Sequence, residues 1–159
     1  MVAASTLGRS RFQFEERLRV TLTFIAQDGD REIAAETATT IYVCITCRRA
    51  GEPEGDPAPG LRLARATSRA AEGTSVTVRR VRCLANCNRG LSAAIRRDGA
   101  WTYVFGGLDP DRDAAALVEG ARLFARASDS IMPWRGRPEV LKRGLIARVP
   151  PIDFEEESE

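Results

Sequence analysis

Hydrophobic and polar residues alternate at Leu18, Val20, Leu22 and Phe24, the pattern of a half-buried strand, but the flanking segments are polar and irregular. Residues 1–38 are therefore read as an N-terminal extension, either poorly ordered or contributing one added strand. Sustained patterning begins at Thr39. The β-branched and aromatic run "TTIYV" leads directly into Cys44 and predicts a strand. "RRAGEPEGDPAPG" is dense in Gly and Pro and predicts a loop. "LRLARATSRAAE" has helical composition and a thin apolar face of Leu63, Ala66 and Ala70 with Leu61 beside them, ending at a Gly73 cap. "TSVTVRRVRC" predicts a second strand on Val76, Val78 and Val81, and it too runs into a cysteine.

"LSAAIRR" and "AWTYVFGG" flank the dipeptide Asp98-Gly99, a strong hairpin signal because a tight primed turn needs positive φ. Trp101, Tyr103 and Phe105 alternate along the second hairpin strand and are read as core or sheet-face packing. Gly106-Gly107 is read as a turn, being too short a signal for a phosphate loop. The clearest helix follows, with Asp109 as N-cap and Pro110 at the first helical position. Ala114, Leu117, Val118, Ala121, Phe124 and Ala125 form its apolar stripe. The order is strand, helix, strand, strand, strand, helix. A helical crossover makes the first two strands parallel, and the hairpin makes the last two antiparallel. The fold class is thus α/β, a mixed four-stranded sheet with two main helices over residues 39–132. The tail, 133–159, has a short helix around Glu139 to Arg143 and an acidic end. It is expected on the surface or docked to a partner, with Trp134 packed back on the domain.

Composition narrows the chemistry. No apolar run is long enough for a membrane span, and no h-region of a secretory signal is present, so a reducing cytoplasm is the expected compartment. In that compartment paired cysteines more often serve as ligands or redox thiols than as disulfides. The absence of histidine excludes His-ligated zinc, Rieske-type ligation and histidine-based triads. The four cysteines of the chain fall in two pairs, Cys44/Cys47 and Cys83/Cys87. Each pair lies where a predicted strand leaves the sheet, and parallel strands open both loops on one edge. That places four thiolates for one soft metal centre, zinc or iron–sulfur. The extra residue in Cys83-x3-Cys87 suits a wider dinuclear cluster. Arg48, Arg49, Arg82 and Arg89 beside the ligands would offset the negative charge of an all-cysteine [2Fe–2S] site. Thioredoxin-type dithiol chemistry is disfavoured because Cys47 leads into a Pro- and Gly-rich loop instead of a helix.

The Cys83-x3-Cys87 pair, its distance from Cys47 and the strand–helix order resemble the thioredoxin-like [2Fe–2S] ferredoxins. "IYVCITCR" with "RCLANCNRG" and "GLDP" is similar, over roughly residues 40–150, to a family of small predicted metal-binding proteins often encoded beside cobalamin-biosynthesis genes. Cys83 and Cys87 match the second ligand pair well. Cys44 and Cys47 depart from the ferredoxin pattern, since only Ile45 and Thr46 separate them. The resemblance implies a thioredoxin-like, ferredoxin-type fold. It also implies an electron carrier, not an enzyme, that holds one [2Fe–2S] cluster and supports cobalamin synthesis. The expected partner is a redox protein with an acidic docking surface, with homodimer formation left open. No nucleic-acid partner is expected, because the arginines lack interleaved aromatics, and no membrane partner, because no apolar run approaches the length of a span. The alternative is a zinc-stabilised interaction module without redox activity.

Overall fold

The computed structural model describes residues 38–49, 57–156 and 158. The N-terminal extension and most of the Gly- and Pro-rich loop lie outside them. The elements are β1 (Thr39–Cys44), α1 (Pro59–Ala70), β2 (Val76–Val81), a 3-10 turn (Cys87–Arg89), β3 (Ala93–Arg97), β4 (Thr102–Phe105), α2 (Ala114–Ala125), α3 (Glu139–Arg143) and β5 (Leu145–Val149). The sheet order is β2-β1-β3-β4-β5. β1 and β2 are parallel, with Thr39 opposite Val76 and Cys44 opposite Val81. The remaining neighbours are antiparallel. The first four strands reproduce the thioredoxin-like plan expected from the element order.

A fifth strand corrects the expected count of four. β5 pairs with β4 from Thr102↔Val149 to Val104↔Ala147, then shifts register so that Phe105 faces Leu145. Its residues are half-buried or exposed, so "LIARV" presents no alternating core face to read from sequence. Pro150 and Pro151 follow at once, and neither has an N–H to continue the ladder.

β1 is the centre of the packing. Ile41 and Val43 are fully buried, and α1 and α2 pack on each other and on this strand. The inward face of α1 is Gly60, Leu63, Ala64 and Thr67, so Leu63 sits where predicted but Ala66 and Ala70 do not. The Thr67 hydroxyl reaches the core by donating to the Leu63 carbonyl at 2.8 Å. Tyr103 and Phe105 are buried with their rings stacked at 6.3 Å, and the Phe124 ring meets Tyr103 edge-on at 5.4 Å.

Two turns differ in detail from the expectation. In the hairpin Gly99 has φ +64, but Asp98 does not have positive φ. The loop is therefore not a two-residue primed turn, and the Trp101 N–H leaves the ladder for the Ser130 carbonyl at 3.1 Å. α2 starts at Ala114, not at Pro110. The Asp109 carboxylate instead accepts the Asp111 N–H at 2.9 Å, and the Asp113 carboxylate accepts the Asp109 N–H at 2.7 Å. The capping signal is thus used in a turn that precedes the helix.

Two buried arginines hold the far end of the sheet. Arg97 donates to the carbonyls of Phe124, Ala125 and Ala127 at 2.7–3.3 Å, closing the C-terminal end of α2 where the helix dipole favours a cation. Arg137 donates to the carbonyls of Met132 and Pro133 and lies over the Tyr103 ring. Trp134, expected to pack back on the domain, is 63 % exposed, with Arg137 and Lys142 over its ring.

Candidate metal centre

The parallel pairing of β1 and β2 carries both cysteine loops to one end of the sheet. Cys44 is the last residue of β1 and pairs with Val81, the last of β2. Cys47 lies three residues beyond the strand end, Cys83 two beyond β2, and Cys87 opens the 3-10 turn. All four line a single cavity of about 180 Å3, together with Thr46, Arg48 and Asn86. None is in a disulfide; Cys44 and Cys47 are buried, Cys83 and Cys87 exposed. Among the described residues no three potential ligands converge closely enough for one ion. Cys44 and Cys47 are hydrogen-bonded to each other, and Cys83 and Cys87 line the same cavity from the second loop.

The first loop is fixed by the start of α1. The Gly60 N–H donates to the Cys47 carbonyl at 3.1 Å. A Cβ on Gly60 would collide with the Cys44 carbonyl and stand 3.1 Å from the Cys47 nitrogen. Only glycine lets helix and loop approach so closely. The Thr46 hydroxyl donates to the Arg82 carbonyl and so ties the first loop to the segment leading into the second. The Cys44 sulfur lies 3.4 Å from that same carbonyl.

The second loop is held from below. Asn86 donates from its amide to the Ser92 hydroxyl at 3.0 Å, and the Arg89 carbonyl accepts the Gly107 N–H at 2.6 Å. A side chain on Gly106 would overlap the Asn86 amide and the Arg89 carbonyl. The Gly106-Gly107 pair is the expected turn, with Gly107 at φ +68, and it is also the seat of the loop. Ala85 adopts φ 54, uncommon for a residue with a side chain, and its N–H points to the Cys83 sulfur at 3.2 Å.

The buried thiols are electrostatically unequal. Burial is the largest influence on Cys44 and pushes its thiol up. Hydrogen bonds from Cys47, from the Thr46 hydroxyl and from the backbone N–H groups of Thr46 and Leu84 outweigh it, leaving Cys44 below the ordinary cysteine value. Cys47 is pushed up to about 11, by burial first and then by the hydrogen bond and charge of Cys44. Metal binding releases ligand protons, and Cys47 is the thiol that holds its proton more strongly.

The four predicted cysteines are thus all at one cavity. Of the four predicted arginines, Arg48, Arg82 and Arg89 are exposed around the loops. Arg49 has a different place, donating to the Leu108 carbonyl at 2.8 Å and pairing with Asp109 at 3.3 Å. Sequence reasoning missed Thr46, Asn86 and Gly60. Gly60 had one signal, a glycine directly after the proline that opens a helix.

Two solved structures are similar to this chain, both of a thioredoxin-like [2Fe-2S] ferredoxin from Aquifex aeolicus. One is 19% identical over 74% of this chain and 99% of its own, with a TM-score of 0.46. The other, the wild-type protein, is 18% identical over 70% and 98%, with a TM-score of 0.45. No curated protein matches the chain. Residues 41–151, the greater part of the sequence, match the family model described as "Protein of unknown function (DUF1636)", and the chain belongs to that family.

Proposed function

We propose that the protein is a small electron carrier that holds one [2Fe–2S] cluster through Cys44, Cys47, Cys83 and Cys87. The observation that carries this reading is the single cavity lined by all four thiols at the shared end of two parallel strands. The donor set fits the group. It is all sulfur, with no cysteine tied up in a disulfide and no histidine in the chain. The spacing in the sequence fits as well, two cysteines from each loop being the number that each iron of a dinuclear cluster takes. When bound, such a cluster supplies one-electron transfer.

The chain's own residues do the rest. Buried Cys44 and Cys47 anchor the inner side, held by Gly60 and Thr46. Exposed Cys83 and Cys87 form the outer side, the shorter route for an electron to a docked partner. Arg48, Arg82 and Arg89 offset the negative charge of four thiolates and suit an acidic partner surface. Anaerobically purified protein is expected to be reddish-brown and to bleach with dithionite. Colourless protein containing one zinc per chain would instead identify a structural zinc module.

The motif resemblance extends the proposal to electron delivery at a cobalt or corrin step of cobalamin synthesis. Deleting the gene is then expected to lower corrinoid content under growth that requires the cofactor. Unchanged corrinoid content would remove this role while leaving the electron carrier intact.

A further inference from the structure

Beside the cysteine loops lies a second and larger cavity, of about 460 Å3, that none of the four cysteines lines. Four segments distant in sequence each bring one arginine to it. Arg49 comes from the loop after Cys47, Arg89 from the 3-10 turn, Arg112 from the turn before α2, and Arg143 from the end of α3. Asp109 and Asp113 are the acids at its wall, so positive side chains outnumber negative ones two to one.

Both carboxylates are already engaged. Asp109 accepts the Asp111 N–H and pairs with Arg49, and these contacts, with the nearby charge of Arg112, hold its carboxyl below the ordinary aspartate value. Asp113 accepts the Asp109 N–H. Arg49 is committed as well, to Asp109 and to the Leu108 carbonyl. The other three arginines are far less occupied. Among the described residues Arg89 and Arg112 make no ion pair within 4 Å, although the charge of Arg112 acts on Asp109, and Arg143 has an exposed pair with Glu139 in its own helix. Converging guanidinium groups with few partners, set in a concavity, raise the local positive potential and present planar forks that match oxyanions.

We propose that this cavity binds a small organic anion with at least two oxyanion groups, of the phosphate-ester or polycarboxylate class, through Arg89, Arg112 and Arg143. Arg49 and Asp109 form its fixed wall. The recess favours a small ligand over an acidic protein surface, because its volume is that of a ligand pocket and the Gly106-Gly107 backbone contributes no side chains to fill it. The cavity shares Arg89 with the surroundings of the metal centre, but none of the cysteines lines it, and the tested residues Arg112 and Arg143 belong to the cavity alone.

Isothermal titration calorimetry on the full chain at low ionic strength tests it, with pyrophosphate and citrate as the probes for the two classes. Saturable binding of either probe is expected, weakened by added salt and by about tenfold in Arg112→Ala and in Arg143→Ala. Arg79→Ala, which removes an exposed arginine of β2 outside the cavity, is expected to bind as the unmodified chain does. Binding of pyrophosphate alone would identify phosphate-group recognition, and binding of citrate alone polycarboxylate recognition. No saturable binding of either probe would overturn the proposal. So would unchanged affinity in both cavity variants, or an equal loss in Arg79→Ala, which would mark a diffuse charge effect.

Discussion

Cys83→Ser is expected to abolish the visible absorption of the purified protein while leaving its fold intact. Serine replaces a soft thiolate with a hard hydroxyl that stays protonated near neutral pH, so one ligand of the cluster is lost. Cys83 is exposed and its sulfur accepts the Ala85 N–H at 3.2 Å, so little packing is lost with it. Thermal unfolding of the metal-free forms should then agree to within about 0.5 kcal/mol between variant and unmodified protein. Cys44→Ser is expected to remove the colour equally and also to destabilise the metal-free chain by about 1 kcal/mol. Its sulfur is a member of the core cluster, and an added hydroxyl gains only partial compensation there. Absorption spectra and melting curves of the two variants check both statements. Full colour in Cys83→Ser would show that another group completes the site.

Gly60→Ala is expected to destabilise the protein by about 1–3 kcal/mol, the range for overpacking a close contact. On an open helix face the same change stabilises by up to about 1 kcal/mol, so the sign alone is diagnostic. The new methyl would meet the Cys44 carbonyl and, at 3.1 Å each, the Cys47 nitrogen and the Ile45 carbonyl carbon. These are backbone atoms and cannot turn aside. Either α1 lifts away, losing the bond from Gly60 to the Cys47 carbonyl, or the loop shifts and separates Cys44 from Cys47. Both responses act on the inner ligand pair, so the variant should lose its colour faster than the unmodified protein on exposure to a chelator. Denaturant titration measures the stability change, and a neutral or stabilising result would contradict the close packing of helix on loop.

Much of the frame was legible because its signals are local. "TTIYV" and "VTVRRV" are β-rich runs bounded by turn residues, and they form β1 and β2. Placing both cysteine pairs at strand ends needed only the rule that a helical crossover joins parallel strands, and the register of Cys44 with Val81 agrees. β5 was not legible, because an edge strand with exposed side chains leaves no apolar pattern. The start of α2 was misplaced because Asp109-Pro110 serves equally well in a turn, and the turn won once Asp113 bound the Asp109 N–H. Thr46, Asn86 and the four cavity arginines depend on contacts between segments up to 94 positions apart, such as Arg49 and Arg143. No window of sequence holds that information.

The central claim is the nature of the centre at Cys44, Cys47, Cys83 and Cys87. Electron paramagnetic resonance of anaerobically purified, dithionite-reduced protein, with iron, sulfide and zinc measured on the same sample, tests it most directly. The account predicts two irons and two labile sulfides per chain and one unpaired electron per chain after reduction, as a [2Fe–2S] cluster with four cysteine ligands requires. A colourless sample with one zinc per chain, negligible sulfide and no paramagnetic signal would contradict it.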